Sequence, residues 1–150
     1  MTPIDSKQKM LSLNELIVAS NVAQDTGIGP QQAIVNTILE MSIPTNKHMR
    51  YGNTLFIVNG GDGRSAYMSA MNVDTPKNFI ENVRKFLTAS YMLGFDNMLT
   101  VFSQPELIRV FEIIIKDPPQ PEMAYEVKQK PNGQFMAIFQ LGPLREEYSQ

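Results

Sequence analysis

The stretch from residue 51 to residue 102 constrains the fold most, because it has the pattern strand, tight turn, strand, long helix, strand. An apolar run at residues 55–58 ends at residues 59–63, Asn-Gly-Gly-Asp-Gly, which allow the positive φ angles of a hairpin turn. Apolar residues resume at 66–73. The pattern therefore predicts two strands joined by a hairpin.

A long amphipathic helix follows this hairpin. Asp74, Thr75 and Pro76 have the order expected of a helix start, a capping side chain followed by proline in the first turn. One helical face then carries apolar side chains at Phe79, Ile80, Val83, Phe86, Leu87 and Tyr91. Gly94 is placed to end the helix, and residues 97–102 predict the next strand. A helix between two strands indicates a crossover, so these strands are expected to be parallel.

Two helices are predicted before this stretch. Asp5 or Ser6 would cap the first, over residues 6–22, whose inner face would carry Leu11, Leu13, Leu16, Ile17 and Ser20. Pro30 would open the second. Its expected buried set is Ala33, Ile34, Ile38, Leu39 and Met41. Residues 42–52 are interpreted as a polar connector.

A helix and a hairpin are predicted after it. Ser103 and Glu106 match a capping box, and the prolines of residues 118–121 would end the helix that follows. Strands at 124–129 and 134–141 would flank a turn at 130–133. Both faces of the last strand are apolar, which predicts cover on both sides. Residues 144–150 are expected to form a polar tail.

The order of elements predicts an α+β (mixed α/β) fold, with helices packed on a mixed, mostly antiparallel sheet. We expect one domain over residues 1–150, with a core at about 50–142 and a helical part at 1–45.

Composition narrows the classes of function. Thirteen basic and fifteen acidic residues give a net charge of -2, without the positive excess that nucleic-acid binding usually requires. Cysteine is absent, so a disulfide, a thiolate metal site and a thiol nucleophile are excluded. The sequence has no signal-peptide pattern and no apolar run of membrane-spanning length, so we expect no secretion signal and no membrane.

Individual candidate residues have simpler structural interpretations. His48, the single histidine, is expected at the surface, and no acidic cluster has metal-ligand spacing, so no metal is predicted. Ser103 as a nucleophile lacks a visible base. Tyr125 and Tyr148 could act as general acids, but a packed or exposed tyrosine is the simpler interpretation of each. Glu146 and Glu147 are expected in solvent, and most of the ten methionines are expected to fill the core.

From the strand before Asn59 to the last strand, over about residues 50–142, the chain resembles the GNAT family of N-acetyltransferases. The resemblance rests on the NGGDG turn, the helix at residues 78–96, the strand at 97–103, the helix at 105–117 and the closing strands. More narrowly, the chain is similar to small GNAT-like proteins of tailed bacteriophages of the podovirus type. That similarity implies an internal virion protein or an acetyltransferase, located in the virion or in the host cytoplasm.

The sequence departs from the family at the loop that would hold the acetyl-CoA pyrophosphate. An active member carries Gln/Arg-x-x-Gly-x-Gly/Ala there, whereas this chain has residues 72–78, Asn-Val-Asp-Thr-Pro-Lys-Asn. It has no glycine for close approach, Pro76 lacks an N–H donor, and Asp74 adds a negative charge. The cofactor loop is therefore predicted to be absent.

Three hypotheses follow. The first is a non-catalytic GNAT-like phage protein that binds other proteins, virion components among them, with no catalytic residues and no cofactor. The second is an acetyltransferase with a diverged loop, in which acetyl-CoA would contact Asn72, Val73, Thr75 and Lys77. The third is a small inhibitor of a host protein. A homo-oligomer is compatible with each of them.

Overall fold

A computed structural model describes residues 9–60 and 64–143. Six strands form one sheet in the order β1-β2-β3-β4-β6-β5, in which only the β3–β4 pair is parallel. The elements are α1 Leu13–Gln24, α2 Pro30–Met41, β1 Asn46–Tyr51, β2 Thr54–Asn59, β3 Ser65–Asn72, α3 Pro76–Met92, β4 Asn97–Phe102, α4 Glu106–Lys116, β5 Ala124–Gln129 and β6 Phe135–Gln140. The predicted mixed, mostly antiparallel fold with a parallel crossover is confirmed.

Helix α1 begins seven residues later than predicted. Ser12 accepts a hydrogen bond from the Glu15 N–H, and the Glu15 carboxylate accepts one from the Ser12 N–H. This reciprocal capping box satisfies two N–H groups at the helix start, and so it fixes the start at Leu13. The predicted caps Asp5 and Ser6 lie outside the described residues. Leu16, Ile17 and Ser20 are buried as expected.

Helix α2 begins at Pro30 as predicted, but its predicted buried face is wrong. Only Ala33 and Thr37 are buried, whereas Ile38 and Leu39 are exposed and Ile34 is half-buried. The prediction assumed that the largest apolar side chains of a helix face the core, and here the smaller ones do.

The predicted polar connector contains strand β1, which pairs with β2 along its whole length. The sequence of β1, Asn-Lys-His-Met-Arg-Tyr, is mostly polar and therefore does not predict a strand. β1 lies at the edge of the sheet, where polar and charged side chains are common because one edge of the backbone is unpaired.

Helix α3 supports one face of the sheet as predicted. Thr75 is its N-cap, and Gly94, with φ +109°, follows its last turn. Phe86 is fully buried and stacks on Phe56 of β2, with ring centroids 4.2 Å apart. Phe111 and Ile114 of α4 complete this face of the core with Phe139 of β6.

Helix α4 is not capped by Ser103, so the predicted capping box is wrong. Ser103 is exposed, Pro105 precedes the helix without a side-chain cap, and the first turn is closed by the N–H groups of Leu107 and Ile108. Pro105 already has the helical φ that favours such a start.

The closing hairpin has the predicted turn, where the Gly133 N–H donates to the Lys130 carbonyl oxygen. Strand β6 is not covered on both sides as predicted, since Ala137 and Phe139 are buried while Met136 and Ile138 are half-buried. Met68 and Met98 fill the core, but Met92 is 80% exposed.

Helix α1 packs on the opposite face of the sheet, where its Leu16 contacts Leu55 and Ile57 of β2. Among the described residues, no helix combines the length and apolar character needed to cross a membrane.

Candidate functional site

A cleft opens where strands β3 and β4 separate. The two strands pair only at Ser65–Asn97, Ala66–Met98 and Tyr67–Leu99, and beyond these positions they diverge. The space between them and α3 measures about 670 Å³. Its lining is mainly apolar and includes Phe56, Met68, Val83, Val101, Phe102 and Phe111. A cleft of this size and lining falls in the range of small-ligand sites.

Backbone groups of β3 line one wall of this cleft. The Arg64 carbonyl oxygen accepts hydrogen bonds from the Asp96 and Asn97 N–H groups at the start of β4. Because successive residues of a strand alternate in the direction of their N–H and C=O groups, those of Met68 and Ala70 face the same way, toward the diverging part of β4. An extended ligand that carries amide groups could pair with this edge.

The N-terminus of α3 forms one end of the cleft, and it is capped by its own side chain. The Thr75 hydroxyl accepts a hydrogen bond of 3.3 Å from the Asn78 N–H. Pro76, at the first helical position, has no N–H to donate. Thr75 and Pro76 therefore each reduce by one the backbone N–H groups that this helix end could offer to an anion.

A fixed carboxylate precedes this cap. Asp74 accepts hydrogen bonds from the Asn53 N–H at 2.8 Å and from the Asn82 side-chain amide at 2.7 Å. Gly52 allows this approach, because a Cβ atom there would lie 2.7 Å from the Asp74 carboxylate. Asn53 and Asn82 are buried, so the carboxylate is held against the β1–β2 turn.

Asn72 and Thr54 extend these contacts into a polar network. The Asn72 side-chain oxygen accepts hydrogen bonds from the Thr54 hydroxyl at 2.7 Å and from the Asp74 N–H at 3.1 Å. The Asn82 amide also donates to the Thr54 hydroxyl, at 2.9 Å. We call the five residues Asn53, Thr54, Asn72, Asp74 and Asn82 the loop network. It uses the Asp74 N–H and the Asp74 carboxylate internally.

The four residues expected to contact acetyl-CoA under the second hypothesis have separate environments. Asn72 belongs to the loop network, and Thr75 caps α3. Val73 packs beside the Leu16 cluster, and its N–H donates to the Asn53 carbonyl oxygen. Lys77 is exposed in the first turn of α3. Of these side chains, only that of Lys77 extends into solvent with a positive charge.

Ser103 lines the cleft, at an exposed position, whereas the other sequence candidates do not join this site. His48 is exposed on β1, as expected. Burial raises the pKa of Tyr125 to about 12, helped by the negative charge of Glu112, and its ring packs between Phe111 and Phe139. Glu146, Glu147 and Tyr148 lie outside the described residues, as does part of the NGGDG turn. Across residues 9–60 and 64–143, no cluster of three potential ligands could hold a metal ion.

The sequence reasoning did not find Asn53 or Asn82. Asn53 follows a strand that was not predicted, and Asn82 lies on α3 among residues that fit a simple amphipathic pattern. A polar residue on the buried side of α3, one position before Val83, was the available signal for Asn82.

The fold is similar to the folds of several acetyltransferases of known structure. Aminoglycoside 6'-acetyltransferase type Ii aligns over 89% of this chain and 92% of its own, with a TM-score of 0.62 and 9% sequence identity. A spermidine N-acetyltransferase chimera from Vibrio cholerae and hSSAT aligns over 87% and 93%, with a TM-score of 0.52 and 10% identity. An acetyltransferase from Streptococcus agalactiae aligns over 87% and 94%, with a TM-score of 0.51 and 10% identity.

No protein-family model matches the sequence, and no curated protein matches it. The structural likeness at this level of identity defines a fold: the chain has a GNAT-like fold, with a six-stranded, mostly antiparallel sheet and helices on both faces.

Proposed function

We propose that this chain is a non-catalytic protein of GNAT-like fold that acts by binding other proteins, as a component of a tailed-phage virion. The observation that carries the proposal is the Asp74 carboxylate, held by the Asn53 N–H and the Asn82 amide beside the N-terminus of α3. The virion role is supported by the resemblance of residues 50–142 to small GNAT-like phage proteins.

The physical reason lies in what a helix N-terminus offers to a phosphate. Free N–H groups and the positive end of the helix dipole attract an anion. In this chain, the Thr75 hydroxyl accepts a hydrogen bond from the Asn78 N–H, and Pro76 has no N–H group to donate. The Asp74 carboxylate adds a negative charge at the same place. A phosphate charge placed about 5 Å from that carboxylate would be repelled by about 3 kcal/mol at an effective dielectric constant of about 20. The positive end of α3 is thus already matched by a carboxylate of the chain.

The absence of catalysis is tested by an acetyl-transfer assay that measures release of free coenzyme A thiol from acetyl-CoA. A panel of small amines and lysine peptides would be offered at millimolar concentration, because an amine is the acceptor that this fold class implies. We expect thiol release at the rate of spontaneous hydrolysis. Release that depends on both protein and amine would overturn the proposal.

The virion role is tested separately, by mass spectrometry of purified particles of the phage that encodes the chain. We expect the protein at a fixed number of copies per particle, retained after washing with high salt. Particles without it would remove the virion part of the proposal and leave a binding protein that acts in the infected cell.

A second candidate function is N-acetyl transfer with a diverged cofactor loop. The cleft between β3 and β4 favours it, because the Met68 and Ala70 backbone edge could pair with the extended, amide-bearing pantetheine arm of acetyl-CoA. Asn72, Val73, Thr75 and Lys77 would then contact the cofactor, and water or a carboxylate would deprotonate the amine. If this second candidate is correct, pantetheine alone binds in the cleft between β3 and β4. If the chain is a non-catalytic binding protein, pantetheine does not bind there.

A further inference from the structure

Strand β5 carries an unpaired backbone edge of the sheet. It is the last strand on its side of the sheet order, beyond β6. The Lys130 N–H donates to the Gln134 carbonyl oxygen in register with the β5–β6 pairs, so the N–H and C=O groups of the even-numbered residues of β5 face β6. Those of Tyr125, Val127 and Gln129 therefore face away from the sheet. Within residues 9–60 and 64–143, no backbone group pairs with them.

The side chains of β5 place two opposite charges on one face. Glu126 and Lys128 lie 3.9 Å apart there, and each side chain is 62% exposed. Tyr125 and Val127 point to the other face and pack against the core. The register with β6 is continuous over residues 124–129 and the strand contains no proline, so its outer edge is regular enough to accept another strand.

We infer that β5 is the contact between two copies of this chain, which pair β5 against β5 antiparallel about a two-fold axis through Val127. In this arrangement Val127 lies opposite Val127 of the second copy, and Tyr125 lies opposite Gln129. These residues have outward-facing backbone groups, so each opposed pair exchanges two N–H to C=O hydrogen bonds. The surface is its own complement, as a two-fold interface requires, and the two sheets become one continuous sheet.

The charges of β5 select this register over its neighbours. With the axis at Val127, each Glu126 lies directly opposite Lys128 of the other copy, in the closely spaced type of pair that lacks backbone hydrogen bonds. An axis at Glu126 would oppose two carboxylates, and an axis at Lys128 would oppose two ammonium groups. An axis at Tyr125 would set Glu126 against Ala124 and carry Lys128 past the end of the strand. Of these registers, only the one at Val127 sets opposite charges face to face within the strand.

The other edge strand, β1, does not share this property. It carries Lys47 and Arg50 and no acidic residue, so no register of two copies forms an ion pair there. The Arg50 guanidinium is also engaged within its own chain, where it donates to the Asn53 side chain. The two edges of the sheet therefore differ, and only the charges of β5 match those of a second copy.

The contact is small and lies away from the cleft. Strand β5 has six residues and is separated from β4 by β6, so the pairing leaves the cleft between β3 and β4 open. Standard-size interfaces use about 20–30 residues on each side. We therefore expect a weak, reversible dimer with a dissociation constant above about 10 μM. The inference concerns the contact of the chain with its own copy and does not rest on the proposed function.

Exchange of charges tests the register, by sedimentation equilibrium of the full chain from about 1 μM to 1 mM at about 50 mM ionic strength. We expect a monomer–dimer equilibrium. Glu126→Lys alone, or Lys128→Glu alone, should weaken it by at least about tenfold, because both cross-strand pairs then join like charges. An equimolar mixture of the two variants should dimerise like the wild type, since one copy then carries two lysines and the other two glutamates at these positions.

Two further variants separate this contact from a general effect of charge. The chain with both Glu126→Lys and Lys128→Glu has the wild-type net charge and should recover the wild-type dimer. Glu81→Lys, at an exposed position on α3, makes the same change of charge as Glu126→Lys and should associate like the wild type. The side chains at 126 and 128 are 62% exposed, so we expect the melting temperature of each dilute variant to stay close to that of the wild type.

Disulfide formation tests the same register without reversing a charge. The chain has no cysteine, so an introduced pair reports a single contact. Directly opposite residues of this type have Cα atoms about 4.5 Å apart, within the range of a disulfide. We expect a mixture of Glu126→Cys and Lys128→Cys to form linked dimers at least about fivefold faster than either variant alone. The mixed dimer also keeps one Glu126–Lys128 pair, whereas a dimer of either variant alone keeps none.

Several outcomes would overturn the inference. The first is a chain that stays monomeric to 1 mM. The second is a single-charge variant that associates like the wild type, or a doubly exchanged chain that associates as weakly as the single variants. The third is a cysteine variant that forms linked dimers alone as fast as in the mixture. Capture of an extended segment of a different protein by β5 of a monomeric chain would have the same consequence.

Discussion

At the scale of single residues, the proposed function depends on Asp74 at the α3 end of the cleft. Its carboxylate anchors the β3–α3 loop to the β1–β2 turn, which stabilises the fold. The same carboxylate places a negative charge beside a helix N-terminus, which disfavours binding of a phosphate there. The anchoring role is structural, and it fixes the position of the carboxylate beside the helix N-terminus.

The anchoring role predicts a cost for removing the carboxylate. Asp74→Ala leaves the Asn53 N–H and one Asn82 contact unsatisfied, and both donor residues are buried. We expect a loss of about 1–3 kcal/mol in the free energy of unfolding, measured by urea denaturation. Glu81→Ala, at an exposed position of the same helix, is the control and should change it by less than about 0.5 kcal/mol. Equal effects for the two variants would contradict the role given to Asp74.

Tyr125 provides a prediction about alkaline pH. Burial and the charge of Glu112 raise its pKa to about 12, while the unfolded chain has a value near 10. The unfolded state therefore loses its proton first as pH rises, and Tyr125 contributes a loss of stability between about pH 10 and pH 12. We expect Tyr125→Phe to reduce the decline in melting temperature over this range. Identical declines for the two proteins would contradict the assigned environment.

The same variant tests the buried hydroxyl. Within residues 9–60 and 64–143, the Tyr125 hydroxyl has no hydrogen-bond partner. Its removal should leave stability at pH 7 unchanged or raise it by up to about 1 kcal/mol, because an unsatisfied buried polar group is lost without a cavity. A marked loss of stability at pH 7 in urea denaturation would indicate a partner for this hydroxyl.

At the scale of elements, two serines that look alike in sequence have different roles. Ser12 and Ser103 each precede a glutamate by three residues, but only Ser12 forms the reciprocal capping box. We expect Ser12→Ala to cost about 1 kcal/mol of stability and Ser103→Ala less than about 0.3 kcal/mol, both measured by urea denaturation. A similar cost at both positions would mean that Ser103 caps α4 in solution.

The elements also show what the sequence could predict. Residues 97–102 were predicted as a strand with the bounds of β4, and Thr75, Pro76 and Gly94 placed the ends of α3, because these signals act within a few residues of the chain. Strand β1 and the outward face of α2 depend on neighbours far away in sequence. An edge strand needs little apolar character, and α2 packs through Ala33 and Thr37, which carry no strong hydrophobic signal.

The unusual composition of the loop before α3 was predictable from the sequence, whereas the hydrogen bonds that hold this loop were not. The composition of residues 72–78 alone indicated a loop unlike that of an active family member. The loop network could not be foreseen, because it joins Asn53 and Asn82 to Asp74 across the β1–β2 turn and α3. Hydrogen bonds between residues that are 21 and 8 positions apart have no periodic pattern in sequence.

At the scale of the whole molecule, the fold combines an open cleft with a helix N-terminus beside which a carboxylate of the chain is fixed. The separation of β3 from β4 leaves a space and a backbone edge that suit an extended ligand. Under the proposed function, the Asp74 carboxylate of the loop network would repel the phosphate groups of acetyl-CoA. The proposed function as a non-catalytic binding protein requires that repulsion by the Asp74 carboxylate outweigh any attraction of the cleft for acetyl-CoA.

Calorimetric titration of the purified chain with acetyl-CoA, accompanied by thermal unfolding, tests this claim most directly. We predict no heat of binding and no rise in melting temperature at millimolar acetyl-CoA. A ligand at about 100 times its dissociation constant would stabilise the fold by about 2.7 kcal/mol, which is readily detected. Binding with a micromolar dissociation constant and a clear rise in melting temperature would contradict the account and establish the cleft as a cofactor site.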